Sequence, residues 1–151
     1  MPTKAQGRGH GVSQKKNFCF ACGPDNAAGM QLKFKYDKKR QRFVCRFRLD
    51  DRYTGPPGHC HGGIIATILD EAMGKVNKLR DVVALTSQMT VDYVQPVPLN
   101  KPLRVESCEV SVQGRKHINM GEIMNQKGDV LARGQALFIA VDPQRFEKFV
   151  K

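Results

Sequence analysis

One stretch of this chain has a sustained helical period and many have a strand period, and that imbalance limits what it can fold into. In "GGIIATILDEAMGKV", residues 62–76, Ile64, Ile65, Ile68, Leu69, Ala72, Met73 and Val76 fall in one apolar arc at about 100° per residue. The rest alternates. "MQLKFKYD" (30–37) sets Leu32, Phe34 and Tyr36 against lysines, and "RFVCRFRL" (42–49) sets Phe43, Cys45, Phe47 and Leu49 against polar neighbours. With "KKRQ" between them, the two predict a hairpin. After the helix come "VVALTSQMTVDYVQPV", "LRVESCEVSV", "HINMGEIMNQ" and "DVLARGQALFIAV". Strict alternation puts Val83, Leu85, Ser87, Met89, Val91 and Tyr93 on one face of the first. The second slips its period near Ser107, which predicts a bulge. Two strands, one helix and four strands exclude repeated βαβ units and predict an α+β domain, one helix on one antiparallel sheet.

A chain of 151 residues, 40% of them hydrophobic, suits a single core. Residues 1–17 are basic and without apolar period, which predicts a disordered tail; residues 18–142 form the domain and 143–151 a C-terminal tail, with room for a short helix. No apolar run approaches the ~18 residues of a membrane span, and the first residues lack the apolar centre of a secretory signal. Five cysteines, an odd number, do not make a disulfide framework. The expectation is a cytoplasmic protein with no membrane partner. The net charge of +11 invites an anionic partner, but it is dispersed over the first residues, 38–42 and 115–116. Without a basic stripe interleaved with aromatics, nucleic acid is not expected.

The helix poses the functional question. Asp70 points away from the apolar arc, and its flanking residues Ala66, Thr67 and Gly74 are all small. A plain solvent face would carry longer polar side chains, so a ligand or a second chain is expected to approach there. Glu71 lies nearer the core boundary, with Lys75 and Lys78 at pairing distance along the helix. Gly62 and Gly63 open the helix, where unpaired amides and the positive end of the dipole point outward.

"GPPGHCHGGIIATILDEA" followed by "LTSQMTVDYVQPVPL" resembles the PaaI-like acyl-CoA thioesterases of the hotdog-fold superfamily. The family's His-Gly-Gly, with an acid seven residues after the second glycine, matches His61, Gly62, Gly63 and Asp70. The resemblance covers roughly residues 18–141. It implies a curved antiparallel sheet wrapped around one long central helix, in a homodimer or homotetramer. It implies hydrolysis of an acyl-CoA thioester without a cofactor. Asp70 is then base or nucleophile, alternatives the sequence leaves open. Gly63 at the helix tip stabilises the oxyanion, with Gly62 beside it and His61 at the site. Thr86 matches a family position that holds the water or the carboxylate, and in the implied dimer it acts on Asp70 of the neighbouring subunit. Some members carry an Asn before His-Gly-Gly; this chain has none there, and Asn26 is the candidate in its place. Arg115 and Lys116, in a turn, are the candidates for the phosphates of CoA.

Three rivals stand beside this reading. Cys19 and Cys22 with His59 and His61 supply the two Cys and two His of a zinc site, although His-X-His is unusual spacing for one; the favoured reading assigns no metal. A hotdog module that binds acyl-CoA without hydrolysis would keep the groove and dispense with Asp70. A hotdog dehydratase needs an Asp–His pair in a different loop arrangement.

Overall fold

A computed structural model describes residues 15–147. Most of the expected basic tail, residues 1–14, and the last four residues of the C-terminal tail lie outside the described residues. The elements are β1 (Lys35–Asp37), β2 (Arg42–Phe47), α1 (Gly62–Val76), β3 (Val83–Tyr93), β4 (Leu103–Gln113), β5 (Lys116–Asn125), β6 (Val130–Val141) and α2 (Pro143–Glu147). Single 3-10 turns at Asp51–Tyr53 and Asn77–Arg80 join them. The strands form one sheet in the order β1-β2-β4-β5-β6-β3, every pair antiparallel. This is the α+β hotdog arrangement, with β3 on an outer edge.

The helix lies on the sheet because both surfaces are shaped for it. Ile68, Leu69, Ala72 and Met73 are completely buried. Beneath them the sheet presents glycines. A Cβ at Gly134 would come 3.1 Å from Met73 Cε and 3.4 Å from Leu69 Cδ1, and one at Gly121 would come 3.4 Å from Met73 Cγ. Each large apolar side chain buried here contributes about 1.5–3 kcal/mol. Two buried polar ties fix the helix along its axis. Ser107 Oγ donates to the Ala72 carbonyl at 2.6 Å, and Asn119 Nδ2 lies 2.9 Å from both the Met73 carbonyl and Asn77 Oδ1.

Three local expectations are corrected. The first strand is short, because the backbone of its expected first half pairs elsewhere: the Met30 and Leu32 amides donate to the carbonyls of Phe20 and Ala21, and Gln31 between them has φ +52°. The bulge in β4 falls between Glu109 and Ser111, not near Ser107, which is paired in register with Phe43 and Gly121 while its hydroxyl reaches α1. A second bulge, unforeseen, interrupts β3 between Thr86 and Gln88.

Candidate active site

The β3 bulge builds the site. Because strand side chains alternate, an extra residue reverses which face the following residues occupy. Beyond the bulge Met89, Val91 and Tyr93 pair with Ala136, Gly134 and Ala132 on the helix side of the sheet. Before it, the helix side belongs to Ala84 and Thr86, and Val83 and Leu85 turn outward, 45% and 42% exposed. Strict alternation had placed Leu85 and Ser87 inward; the bulge at Ser87 exchanges them for Thr86. The Thr86 hydroxyl consequently donates to Asp70 Oδ1 at 2.7 Å. The bond forms within one chain, which corrects the expectation that Thr86 reaches the neighbour's Asp70. The sheet order explains it, since β3 flanks the small-residue side of α1.

The start of α1 is organised by His61. Its backbone is extended, and its side chain caps the helix, Nδ1 accepting from the Gly63 amide at 2.9 Å. An N-cap side chain normally satisfies the second or third amide of a helix, and imidazole does here what Asn or Ser does elsewhere. The Gly63 amide, assigned on resemblance to the oxyanion, is therefore already engaged. The Gly62 amide has no protein acceptor among the described residues, and the Gly62 carbonyl accepts from the Tyr93 hydroxyl at 3.0 Å. A neutral His61 whose Nδ1 accepts must carry its proton on Nε2, which leaves an N–H donor on an exposed ring. Tyr93 was not foreseen as a site residue. Its signal was its place on the helix face of β3, at the end of the alternating run.

Asp70 is half-buried and Thr86 exposed, so the pair lies on an open flank between α1 and the edge strand. Glu71 faces elsewhere. Its carboxylate pairs with Lys75 Nζ at 3.4 Å and accepts from Cys19 Sγ at 3.8 Å. Lys75 Nζ in turn contacts Cys22 Sγ at 3.2 Å. Burial, then the Glu71 carboxylate, pushes the Cys22 thiol up to about 11. The Cys19, Cys22, His59 and His61 zinc set does not assemble. His61 caps α1, and His59 Nδ1 turns to the Pro57 carbonyl at 2.9 Å.

Asn26 is occupied in its own turn: Nδ2 donates to the Phe18 carbonyl and Oδ1 accepts from the Ala28 amide. Arg115 donates through Nε to the Ala140 carbonyl and lines a groove of about 710 Å³ with Leu85, Arg145 and Phe146. Leu85 faces away from α1, so this groove opens on the opposite side of the sheet from Asp70. Lys116 begins β5, paired with Gln113 and Ile139.

Comparison with known proteins bears on this arrangement. The thioesterase superfamily pattern matches residues 57–132, which contain His61, Gly62, Gly63, Asp70, Thr86 and Tyr93. The acyl-coenzyme A thioesterase THEM4 of Xenopus laevis is 32% identical over 119 residues, 78% of this chain and 54% of that protein. THEM4 of Rattus norvegicus is 31% identical over 127 residues, 83% and 55%. The chain thus spans about half the length of the curated relatives it matches. Among solved structures, a thioesterase superfamily protein superposes with a TM-score of 0.76 at 31% identity, covering 82% of this chain and 60% of that one. The BH2602 protein of Bacillus halodurans, crystallised with CoA, superposes with a TM-score of 0.68 at 26% identity, covering 78% and 79%. Pattern, relatives and fold agree, and the chain belongs to the thioesterase superfamily.

Proposed function

We propose that this chain hydrolyses the thioester of an acyl-CoA. The observation that carries the reading is the Thr86–Asp70 bond of 2.7 Å on the open flank of α1, a helix that also carries at its tip a Gly62 amide with no protein acceptor among the described residues. A carboxylate held by a hydroxyl at one lone pair keeps others for a water or for the thioester carbon. Gly62 lies eight residues, about 12 Å, along the same helix from Asp70, so one thioester meets both an Asp70 and a helix tip only where a second chain supplies the tip. There the carbonyl oxygen meets the Gly62 amide and the positive end of α1, with the His61 Nε2 proton as a second donor. An oxyanion donor of this kind is worth about 3–4 kcal/mol. In the general-base route Asp70 takes a proton from water, and the hydroxide adds to the carbonyl carbon. The carbon–sulfur bond breaks, leaving a carboxylic acid and the CoA thiol. In the nucleophilic route Asp70 adds to the carbonyl carbon and expels the CoA thiolate, and water opens the resulting anhydride to release the acid and restore Asp70. Names among the relatives support the substrate class: THEM4 is an acyl-coenzyme A thioesterase, and BH2602 was crystallised with CoA.

The working unit in this reading is a homo-oligomer. The Asp70 flank is open, and β3 beside it is an edge strand that ends in exposed Tyr93, 56%, followed by exposed Val94, 51%. A second chain laid along that edge closes the flank, and its outer sheet face brings an Arg115 groove to the assembly. Sedimentation across a dilution series tests this: a monomer at every active concentration removes the partner from the site.

A hydrolysis screen over short, medium, long and aromatic acyl-CoAs, with free-thiol detection, tests the reaction. Turnover of one class, abolished in Asp70→Asn, is the expected result. Binding of acyl-CoA without turnover would replace the reading with the non-catalytic module.

A further inference from the structure

Away from Asp70, two sulfurs and a carboxylate converge from distant parts of the sequence. Cys19 Sγ, Cys22 Sγ and a Glu71 carboxylate oxygen all lie within 4.8 Å of one another, and all three residues are half-buried. The cysteines sit in a tight turn. The Gly23 amide donates to the Cys19 carbonyl at 2.9 Å, and a Cβ on Gly23 would lie 2.4 Å from the Cys19 nitrogen. Glycine is therefore required directly after Cys22 for both thiols to face α1.

We propose that Cys19, Cys22 and Glu71 form a zinc site that clips the N-terminal segment to α1. The proposal is independent of the hydrolytic reading. Three protein ligands and a water complete the tetrahedron that zinc prefers, and thiolate with carboxylate suits its borderline softness. Two sulfurs bound at about 2.3 Å in a tetrahedron stand ~3.8 Å apart, inside the 4.8 Å within which all three ligand atoms already lie. The charges also balance. Two thiolates and a carboxylate around a divalent cation leave one negative charge, and the Lys75 ammonium, already 3.2 Å from Cys22 Sγ, supplies the compensating positive one. Lys75 also lies 5.8 Å from the centre of the Phe34 ring, which holds it at the margin of the cluster. The clip has something to hold, because residues 17–32 join no strand of the sheet, and Phe18 and Phe20 in that segment remain exposed, 62% and 47%.

The test uses the full chain purified without chelator. Its metal content is measured by mass spectrometry, and the reduced apo protein is titrated anaerobically with Co²⁺, whose sulfur charge-transfer absorption reports thiolate ligation. About one zinc per chain and a saturable near-ultraviolet cobalt band are expected. Cys19→Ser and Cys22→Ser should lose both. Glu71→Gln should weaken cobalt binding by about tenfold or more, since even groups that only orient a ligand cost that much. Asp70→Asn, on another face of the helix, should bind normally. Thiol alkylation of the freshly isolated wild-type chain guards against variants that fail to fold. A Cys19–Cys22 disulfide there, a folded reduced wild type that takes up no cobalt, or cobalt affinity unchanged in Glu71→Gln each overturns the proposal.

Discussion

Asp70→Asn and Thr86→Val, made singly and together, separate a working pair from two neighbours that happen to touch. Asp70 is only half-buried, and an Asn there still accepts from the Thr86 hydroxyl, so the fold should survive. What is lost is the base or nucleophile. General-base removal costs about 10²- to 10⁴-fold in kcat, or about 2.7–5.5 kcal/mol at 1.36 kcal/mol per decade. Thr86→Val is nearly isosteric and deletes one bond to a charged acceptor. Such a bond contributes about 1.5–3 kcal/mol, or ~10- to 150-fold, and the lower end applies because the bond is exposed and water can replace it. Thr86 acts through Asp70. In the Asp70→Asn background the Thr86→Val factor should therefore shrink to within about threefold. The assay is thiol release at saturating acyl-CoA, with thermal unfolding of each variant as the folding control. The reasoning is refuted if Asp70→Asn turns over within about threefold of wild type, or if Thr86→Val costs the same factor in both backgrounds.

Arg115→Ala should raise KM for acyl-CoA with little change in kcat if the proposed oligomer brings the groove it lines to a neighbouring chain's Asp70 flank, since the guanidinium does not line its own chain's site; an unchanged KM removes it from substrate binding. Asn119→Ala should destabilise the chain by about 1–3 kcal/mol in urea unfolding, since it leaves the buried Asn77 Oδ1 without its donor, and a midpoint within error of wild type contradicts that. Glu106→Gln should show a pH signature. The bidentate Arg40 guanidinium, 2.7 Å away at both oxygens, with Arg104 and Arg42 nearby, holds this buried carboxyl below the usual carboxylate range. A depressed folded-state value means stability present above the unfolded value and lost as pH falls through the folded one. The wild-type advantage in urea should thus be largest at neutral pH and fade below about pH 4; an advantage independent of pH excludes the ion cluster as its source.

The sequence made the helix and most of the strands legible because both rest on local pattern. Gly62–Val76 is the observed helix, and β2, β4, β5 and β6 lie within or close to the stretches read for them. Asp70 was legible for the same reason, as an acid opposite the apolar arc. Less visible was whatever depends on partners distant in sequence. Glu106 reads as one more charge in a strand until β2 and its preceding turn bring Arg40 and Arg42 to it. Glu71 reads as an i,i+4 partner for Lys75, which it is, but its contact with Cys19 depends on how residues 17–32 fold back. Gly63 was misjudged for a local reason. An amide that is free by helix geometry is captured by the adjacent side chain, and His61 is an uncommon cap, easily mistaken for a residue aimed only at substrate.

The β3 bulge is where fold and site become one problem. Ser87 is a polar residue at a position that alternation assigns to the core, and this mismatch was the signal for it. One added residue settles the conflict by moving the serine out of register, and it has two results on opposite sides of the sheet. On the helix side Thr86 replaces a large apolar residue and meets Asp70; had Leu85 stayed inward, a carboxylate facing leucine would have had no donor. On the outer side Val83 and Leu85 are released, and Leu85 becomes a wall of the groove lined by Arg115. Exposing two large apolar side chains on an edge strand costs stability unless something covers them. The residue that positions the acid thereby also creates apolar surface for a ligand or a second chain to cover.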